Sequence, residues 1–153
     1  MGKRGLQVYA IETTIDDMNP QVYDHVMERL MKAGALEVTL QPVQAKKNRP
    51  AVILRCLALR TKMDAICDLI LKETTTFGVR YYPVERKILQ RKLRTVTVRR
   101  ENIRVKMGFD ERGKLIKQVP EYEDVKRIAQ KTQRSLYDII NESMIIAIKS
   151  KSK

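Results

Sequence analysis

The chain is poor in the side chains that most often carry metal and redox chemistry. Its 153 residues hold one histidine, two cysteines and no tryptophan. His25 has no second imidazole at helical spacing, so an HExxH site is excluded, and the Cys56–Cys67 spacing matches no zinc motif. There is also no Walker loop, GxGxxG, GxSxG or CxxC, which leaves a P-loop enzyme or an ordinary nucleophilic hydrolase without support. No apolar run is long enough to cross a bilayer. No signal-type apolar stretch follows Met1-Gly2-Lys3-Arg4-Gly5, so export is not expected. Cys56 lies in an apolar strand pattern and Cys67 in an apolar helix pattern. Both read as reduced core thiols, which fits a cytoplasmic location.

Charge, in contrast, is abundant and one-sided. Hydrophobic content is 43% and charged content 32%, the balance of a folded protein of one domain or two small ones. The net charge is +13. Residues 1–76 hold 11 basic and 9 acidic side chains, whereas residues 77–153 hold 20 and 9. Such a field attracts polyanions, although a solvated Lys/Arg-rich surface carries the same composition.

Periodicity divides the chain near Arg86. Residues 7–13 read as a strand. Asn19 then caps a helix with Pro20 at its first position, Val22, Val26 and Leu30 on one face, and Gly34 at its end. Residues 36–43 alternate into a second strand. Residues 51–59 are almost continuously apolar, as in a central strand covered on both faces. Thr61 with Asp64 resembles a capping box for a helix bearing Met63, Ile66, Cys67, Ile70 and Leu71. Gly78 releases a fourth strand over 79–85. The order is that of a ferredoxin-like βαββαβ domain, expected over 6–86, with two helices on one face of a four-stranded antiparallel sheet. The overall class is α+β. Residues 87–148 are expected to form a β-hairpin and two-helix subdomain. There, 88–100 is β-like and basic, and Ile103, Val105 and Met107 alternate with cations. Asp110–Gly113 is a turn, a short strand covers 114–119, and Pro120 opens a helix. Ser135 with Asp138 caps the last helix, which runs to Ile148 before a tail, 149–153, that should fray.

Several loops carry candidate chemistry. Asp16-Asp17-Met18-Asn19-Pro20 places two carboxylates at a strand-to-helix turn, where they suit Mg²⁺ or Mn²⁺ with Glu12 near enough to help. Complementing the helix dipole explains the same acids. Lys46-Lys47-Asn48-Arg49-Pro50 gathers three cations and an amide suited to phosphate, or forms a charged hairpin loop. Glu73-Thr74-Thr75-Thr76-Phe77-Gly78 ends a helix. Thr75, Thr76 and nearby Arg80 fit an anion, and hydroxyls satisfying the last helical carbonyls fit equally. Glu121 and Asp124 share a helical face, where dipole complementarity and i, i+4 pairing explain them. His25 reads as an exposed helical residue.

Taken in order, these stretches resemble one family. Residues Glu12 through Pro20, Ala33-Gly34-Ala35-Leu36, Lys46 through Pro50, Glu73 through Tyr82 and Pro120 through Ala129 are similar to the C-terminal region of the LarC family, the nickel-pincer-nucleotide cofactor insertion proteins or cyclometallases. The resemblance runs from about Val8 to Ala147. It implies insertion of nickel into pyridinium-3,5-bisthiocarboxylic acid mononucleotide, completing the cofactor of lactate racemase. It further implies use of CTP with Mg²⁺ or Mn²⁺, nucleotide binding in this C-terminal part, and a homo-oligomer, expected as a trimer or hexamer. Chemistry then assigns metal to Asp16 and Asp17, and nucleotide to Lys46, Lys47, Asn48, Arg49, Thr75, Thr76 and Arg80. Family members carry a sizeable N-terminal region, often histidine-rich. This stretch is therefore expected to be an excised domain or the partner of a separate N-terminal subunit, able to bind nucleotide but not to insert nickel alone.

Two other classes compete. A nucleic-acid module of ferredoxin-like topology suits residues 86–106, with nine basic residues against one acid. It lacks the aromatic platform that RNA-recognition domains place on central strands: residues 51–59 carry no aromatic, and only Tyr9 is available on the first strand. An oligomerisation or sensor domain with a vestigial site predicts assembly without nucleotide affinity.

Overall fold

The computed structural model describes residues 7–149. Most of the tail expected to fray lies outside these residues. The chain divides into two compact units between Arg86 and Lys87. Among the described residues no helix is long and apolar enough to cross a membrane.

The first unit contains β1 (Val8–Ile15), α1 (Val22–Lys32), β2 (Glu37–Ala45), a 3₁₀ turn (Lys46–Asn48), β3 (Arg49–Leu59), α2 (Arg60–Glu73) and β4 (Arg80–Val84). Its sheet has the order β2-β3-β1-β4 with every pair antiparallel, the ferredoxin-like arrangement. Ile11 and Ile15 of β1 and Leu54, Cys56 and Ala58 of β3 pack against Val26 and Leu30 of α1 and Met63, Ile66 and Ile70 of α2. Burying each large apolar side chain contributes about 1.5–3 kcal/mol.

Strand β3 is central, but it is not covered on both faces. Leu54, Cys56 and Ala58 are buried under the helices, while Ile53, Arg55, Leu57 and Leu59 are only half-buried. An apolar run marks burial without saying how many layers supply it. The start of α1 also differs in detail. Asn19 Oδ1 accepts from the Gln21 amide at 3.0 Å, closing a turn, and the helix proper begins at Val22. Helix α2 has no side-chain cap; Arg60 and Asp64 pair along it at 3.1 Å, so the Thr61 capping box does not form. Gly34 does end α1, at φ +102°, where its amide bonds the Met31 carbonyl.

The second unit contains β5 (Gln90–Val98), β6 (Glu101–Phe109), β7 (Leu115–Pro120), α3 (Tyr122–Thr132) and α4 (Leu136–Lys149). Its sheet is a three-stranded meander, β5-β6-β7, in which the expected hairpin is extended by the short strand expected over 114–119. Val96, Val98, Ile103, Val105 and Met107 face Val125, Ile128, Ile139 and Ala147 of the helices. The β5–β6 connection is a two-residue turn, Arg99-Arg100, with both residues in the left-handed region. Glycine or asparagine usually fills such turns, so the basic run hid it. Arg99 ties the turn to α4 through a forked pair with Glu142 at 2.8 and 2.7 Å. The Asp138 amide donates to the Ser135 hydroxyl oxygen at 3.0 Å, the cap expected for α4.

Asp124 anchors α3 to β6. Its Oδ2 accepts from the Arg104 amide and Nε, each at 2.9 Å, and its Oδ1 accepts from the guanidinium at 3.1 Å. The Arg104 side chain, and next its amide, hold this carboxyl down to about 2, against an ordinary value of 3.8. A depressed carboxylate stabilises the fold above its unfolded pKa and stops doing so as pH falls through the folded one. Asp124→Asn should therefore lower stability by roughly 1.5–3 kcal/mol near neutrality. In urea titrations the gap to wild type should shrink as pH drops from about 4 towards 2; a gap independent of pH would contradict the assignment.

Candidate functional site

Strand β1 ends at Ile15, paired with Val52, and delivers Asp16 and Asp17 just past the sheet edge where β2 turns into β3. Three loops meet there. Arg49 Nη1 lies 3.3 Å from Asp16 Oδ2, joining the cationic loop to the acidic one. The Thr75 hydroxyl donates to Asp17 Oδ1, joining the acidic loop to the threonine turn. Buried Thr13 of β1 meets Thr76, their hydroxyl oxygens 2.6 Å apart, and both lie within 3.0 Å of the Gly78 carbonyl. Each hydroxyl has one proton, so one donates to Gly78 and the other donates within the pair. Thr74 donates to the Ile70 carbonyl and finishes α2. The three threonines thus have separate tasks: one ends the helix, one holds the acidic loop and one holds β1.

The cationic loop is strained. Lys47 and Asn48 both sit at φ 58°, the left-handed region, and Gln44 Nε2 donates to Asn48 Oδ1 at 3.0 Å. A non-glycine residue there costs roughly 1–2 kcal/mol, and such outliers cluster at ligand clamps. Among the described residues neither Lys46 nor Lys47 has a carboxylate within ion-pair distance, so both ammonium groups are uncommitted.

Two residues expected near this cluster are engaged elsewhere. Glu12 is buried on the sheet face away from the helices, between Arg55 Nε at 2.7 Å and Arg80 Nε at 2.8 Å, with the Tyr82 hydroxyl at 3.4 Å. The Arg80 bond, against the opposing effect of burial, keeps its carboxyl below the usual range. Arg80 also donates to Thr14 Oγ1 at 3.2 Å. Glu12 is thus neutralised twice over, and Arg80 is spent on it.

The acidic loop offers a divalent ion only two carboxylates. Among the described residues no three His, Cys, Asp or Glu side chains gather. That donor set suits Mg²⁺ or Mn²⁺, which take one or two carboxylates and fill the remaining positions with water and ligand phosphates. It does not suit nickel held by soft ligands. Burial, helped by neighbouring Cys67, pushes the Cys56 thiol up to about 12, and Cys67 is also raised. Both thiols are buried in the core of the first unit. His25 is exposed, 3.9 Å from Glu73, which Arg29 also engages.

One residue beside the cluster carried no assignment. Phe77, between Thr76 and Gly78, is fully exposed. An aromatic ring beside a polar turn is the signal that could have marked it, since a ring face can stack on a base or pack against a partner.

The fold and these loops define a ferredoxin-like domain with a mixed acidic and cationic loop cluster at one end of its sheet. The model of the family described as "Nickel insertion protein" matches residues 2–140, and the chain belongs to that family. It is 40% identical over 152 residues to the pyridinium-3,5-bisthiocarboxylic acid mononucleotide nickel insertion protein of Desulfitobacterium hafniense, covering 99% of this chain and 36% of that protein. The protein of the same description from Acetivibrio thermocellus is 39% identical over 143 residues, covering 92% and 35%. The chain thus spans about a third of the length of these curated relatives. A solved structure is similar over 92% of this chain and 96% of its own, with 34% identity and a TM-score of 0.84. It is LarC2, the C-terminal domain of a cyclometallase involved in the synthesis of the NPN cofactor of lactate racemase, in its apo form.

The strain in the cationic loop is directly measurable. Lys47→Gly should raise unfolding stability by about 1 kcal/mol, because glycine accepts positive φ without cost. Lys46→Gly should not. An unchanged or lowered urea midpoint for Lys47→Gly would mean that the left-handed backbone is not held under strain.

Proposed function

We propose that the chain is the nucleotide-binding and oligomerising C-terminal part of a nickel-insertion enzyme for the nickel-pincer cofactor of lactate racemase. It takes CTP with Mg²⁺ or Mn²⁺, and nickel passes through the complete enzyme as the transferred ion. The observation that carries this reading is the direct contact of the acidic loop, the cationic loop and the threonine turn at one sheet end. Family membership and the names of the relatives support it.

The chemistry follows from the free ion pair. With no ligand, Arg49 and Asp16 neutralise each other. A triphosphate brings three to four negative charges and its own cation. Arg49, with Lys46 and Lys47, turns to the phosphates, and Asp16 and Asp17 are released to the metal. The exchange replaces one exposed ion pair, itself contributing little, with several charge-assisted contacts. The Asn48 amide and the backbone of the Thr75–Thr76 turn border the same space, and Phe77 offers a face for the base. Arg80 acts at one remove, by fixing β4 through Glu12 and Thr14.

Nickel capture belongs, in this reading, to the part of the relatives that these residues do not cover, since the described residues lack the imidazoles and thiolates nickel favours. Reduced core thiols fit a cytoplasmic setting. The sheet face opposite the two helices, with Ile53, Leu57 and Tyr82, and the edges of β2 and β4, unpaired among the described residues, supply surface for a trimer or hexamer.

Calorimetry on the 153-residue chain tests the reading. CTP should bind, more tightly with Mg²⁺ or Mn²⁺ than without. Asp16→Asn with Asp17→Asn should remove the metal-dependent gain, while Lys47→Ala or Arg49→Ala should cost roughly 1.5–3 kcal/mol with or without metal. No heat of binding at millimolar CTP and metal would sink the proposal.

A further inference from the structure

The second unit carries a groove that none of the loops above explains. Residues opposite each other in antiparallel strands share a face, and on the face of β5-β6-β7 away from the helices two rungs lie side by side. One is Arg91–Gly108–Lys117 and the other is Leu93–Lys106–Val119. Gly108 leaves the middle of the first rung hollow. Leu89, from the segment before β5, lies over that hollow: a Cβ at position 108 would meet its Cδ1 at 2.8 Å. The result is a cavity of about 480 Å³, floored by Leu89 and Val119 and ringed by Lys87, Arg91, Lys106 and Lys117.

Two features separate this groove from ordinary basic surface. The first is charge left unbalanced. Elsewhere in the unit Arg99, Arg104, Arg127, Lys131 and Arg134 are matched to carboxylates, while Arg100, Arg112, Lys114 and Lys126 stand apart on open surface; what marks the groove is that its unpaired cations gather around one concavity. Around the groove Lys106 alone is matched, to Glu121 at 3.0 Å, and among the described residues Lys87, Arg91 and Lys117 have no carboxylate partner. Placing like charges around one concavity without counter-ions is unfavourable unless an anion is bound there. The second is apolar surface left bare between the cations: Ile88 is 67% exposed and Val119 54%. A polyphosphate has no use for such a floor, and an apolar peptide has no use for the cations.

We infer that this groove binds a mononucleotide whose ring is itself anionic, the ring lying on Leu89 and Val119 and its phosphate and ring carboxylates meeting Arg91, Lys117 and Lys87. The volume suits one nucleotide. The cations stand on opposite edges of the floor rather than in one cluster, as separated anionic groups at the two ends of one molecule require. This deepens the proposed function, resting on it only for the class of substrate. It separates the organic substrate from the triphosphate, which belongs to the loops of the first unit.

The probe is nicotinic acid mononucleotide, a pyridinium carboxylate with one phosphate, titrated into the ¹⁵N-labelled 153-residue chain. Saturable shifts should be confined to Leu89, Arg91, residues 106–108 and 117–119. Arg91→Ala and Lys117→Ala should each weaken binding about tenfold, and Lys126→Ala, an exposed cation on α3, should leave it unchanged. Inorganic phosphate and cytidine should each bind far more weakly. CTP with Mg²⁺ should shift residues 46–49 and fail to displace the probe. The inference is overturned if the probe does not saturate at millimolar concentration, if phosphate alone binds as well, if the Arg91 and Lys117 variants bind normally, or if CTP or an oligonucleotide takes the groove in preference. If CTP binds nowhere while the probe saturates the groove, the triphosphate reading fails and this one stands.

Discussion

Strand β1 is hydrogen-bonded along both edges, to β3 over its whole length and to β4 over Val8–Glu12. That double pairing fixes everything at the candidate site. It points the end of β1, and with it Asp16 and Asp17, at the β2–β3 turn on one side and at the α2–β4 turn on the other. A carboxylate pair on an edge strand could reach only one of those loops. The pairing is secured on both faces of β1. Ile11 and Ile15 face the helices, and on the other face Glu12 is clamped by arginines of the two flanking strands. One acid thus ties three strands together beside the two acids left for ligands.

The two units use charge in opposite ways. In the first, the loops at the sheet end hold matched charges, Arg49 with Asp16, that a metal-bound anion can exchange with little net cost. In the second, Arg104 is fixed by Asp124 and Arg99 by Glu142, whereas Lys87, Arg91 and Lys117 around the groove have no carboxylate partner among the described residues. The uneven net charge along the chain therefore has a structural counterpart. The excess includes a group of unmatched cations around a partly apolar hollow.

Much of the fold was legible because its signals are local. The i, i+4 spacing of Val26 and Leu30, the glycine at 34 and the alternation of Ile103, Val105 and Met107 each require only neighbouring residues to be read, although Val22, expected on the same stripe, is exposed and Tyr23 is buried in its place. What remained hidden depends on pairing. The Arg99-Arg100 turn was invisible because arginines rarely adopt left-handed backbone, and the rest of the unit, with Glu142 bonded to Arg99, holds them there. The one-sided cover of β3 is not encoded in its own apolar run. The site was legible in part: the motifs of the acidic, cationic and threonine loops stand out, and their contact follows from the strand order. Glu12 and Arg80 lie close in space to the same motifs but belong to the sheet face. The groove was illegible, because its hollow depends on the register that sets Gly108 between Arg91 and Lys117.

The central claim is that a metal-bound nucleotide sits where the three loops meet. Mn²⁺ tests it most directly, because its unpaired electrons broaden nearby amide signals steeply with distance. With CTP and substoichiometric Mn²⁺, the signals of residues 16–18, 46–49 and 75–78 should broaden together, and those of Val8–Ala10, at the far end of β1, should persist. Broadening centred on residues 87–91 and 106–108, with the three loops untouched, would contradict the claim.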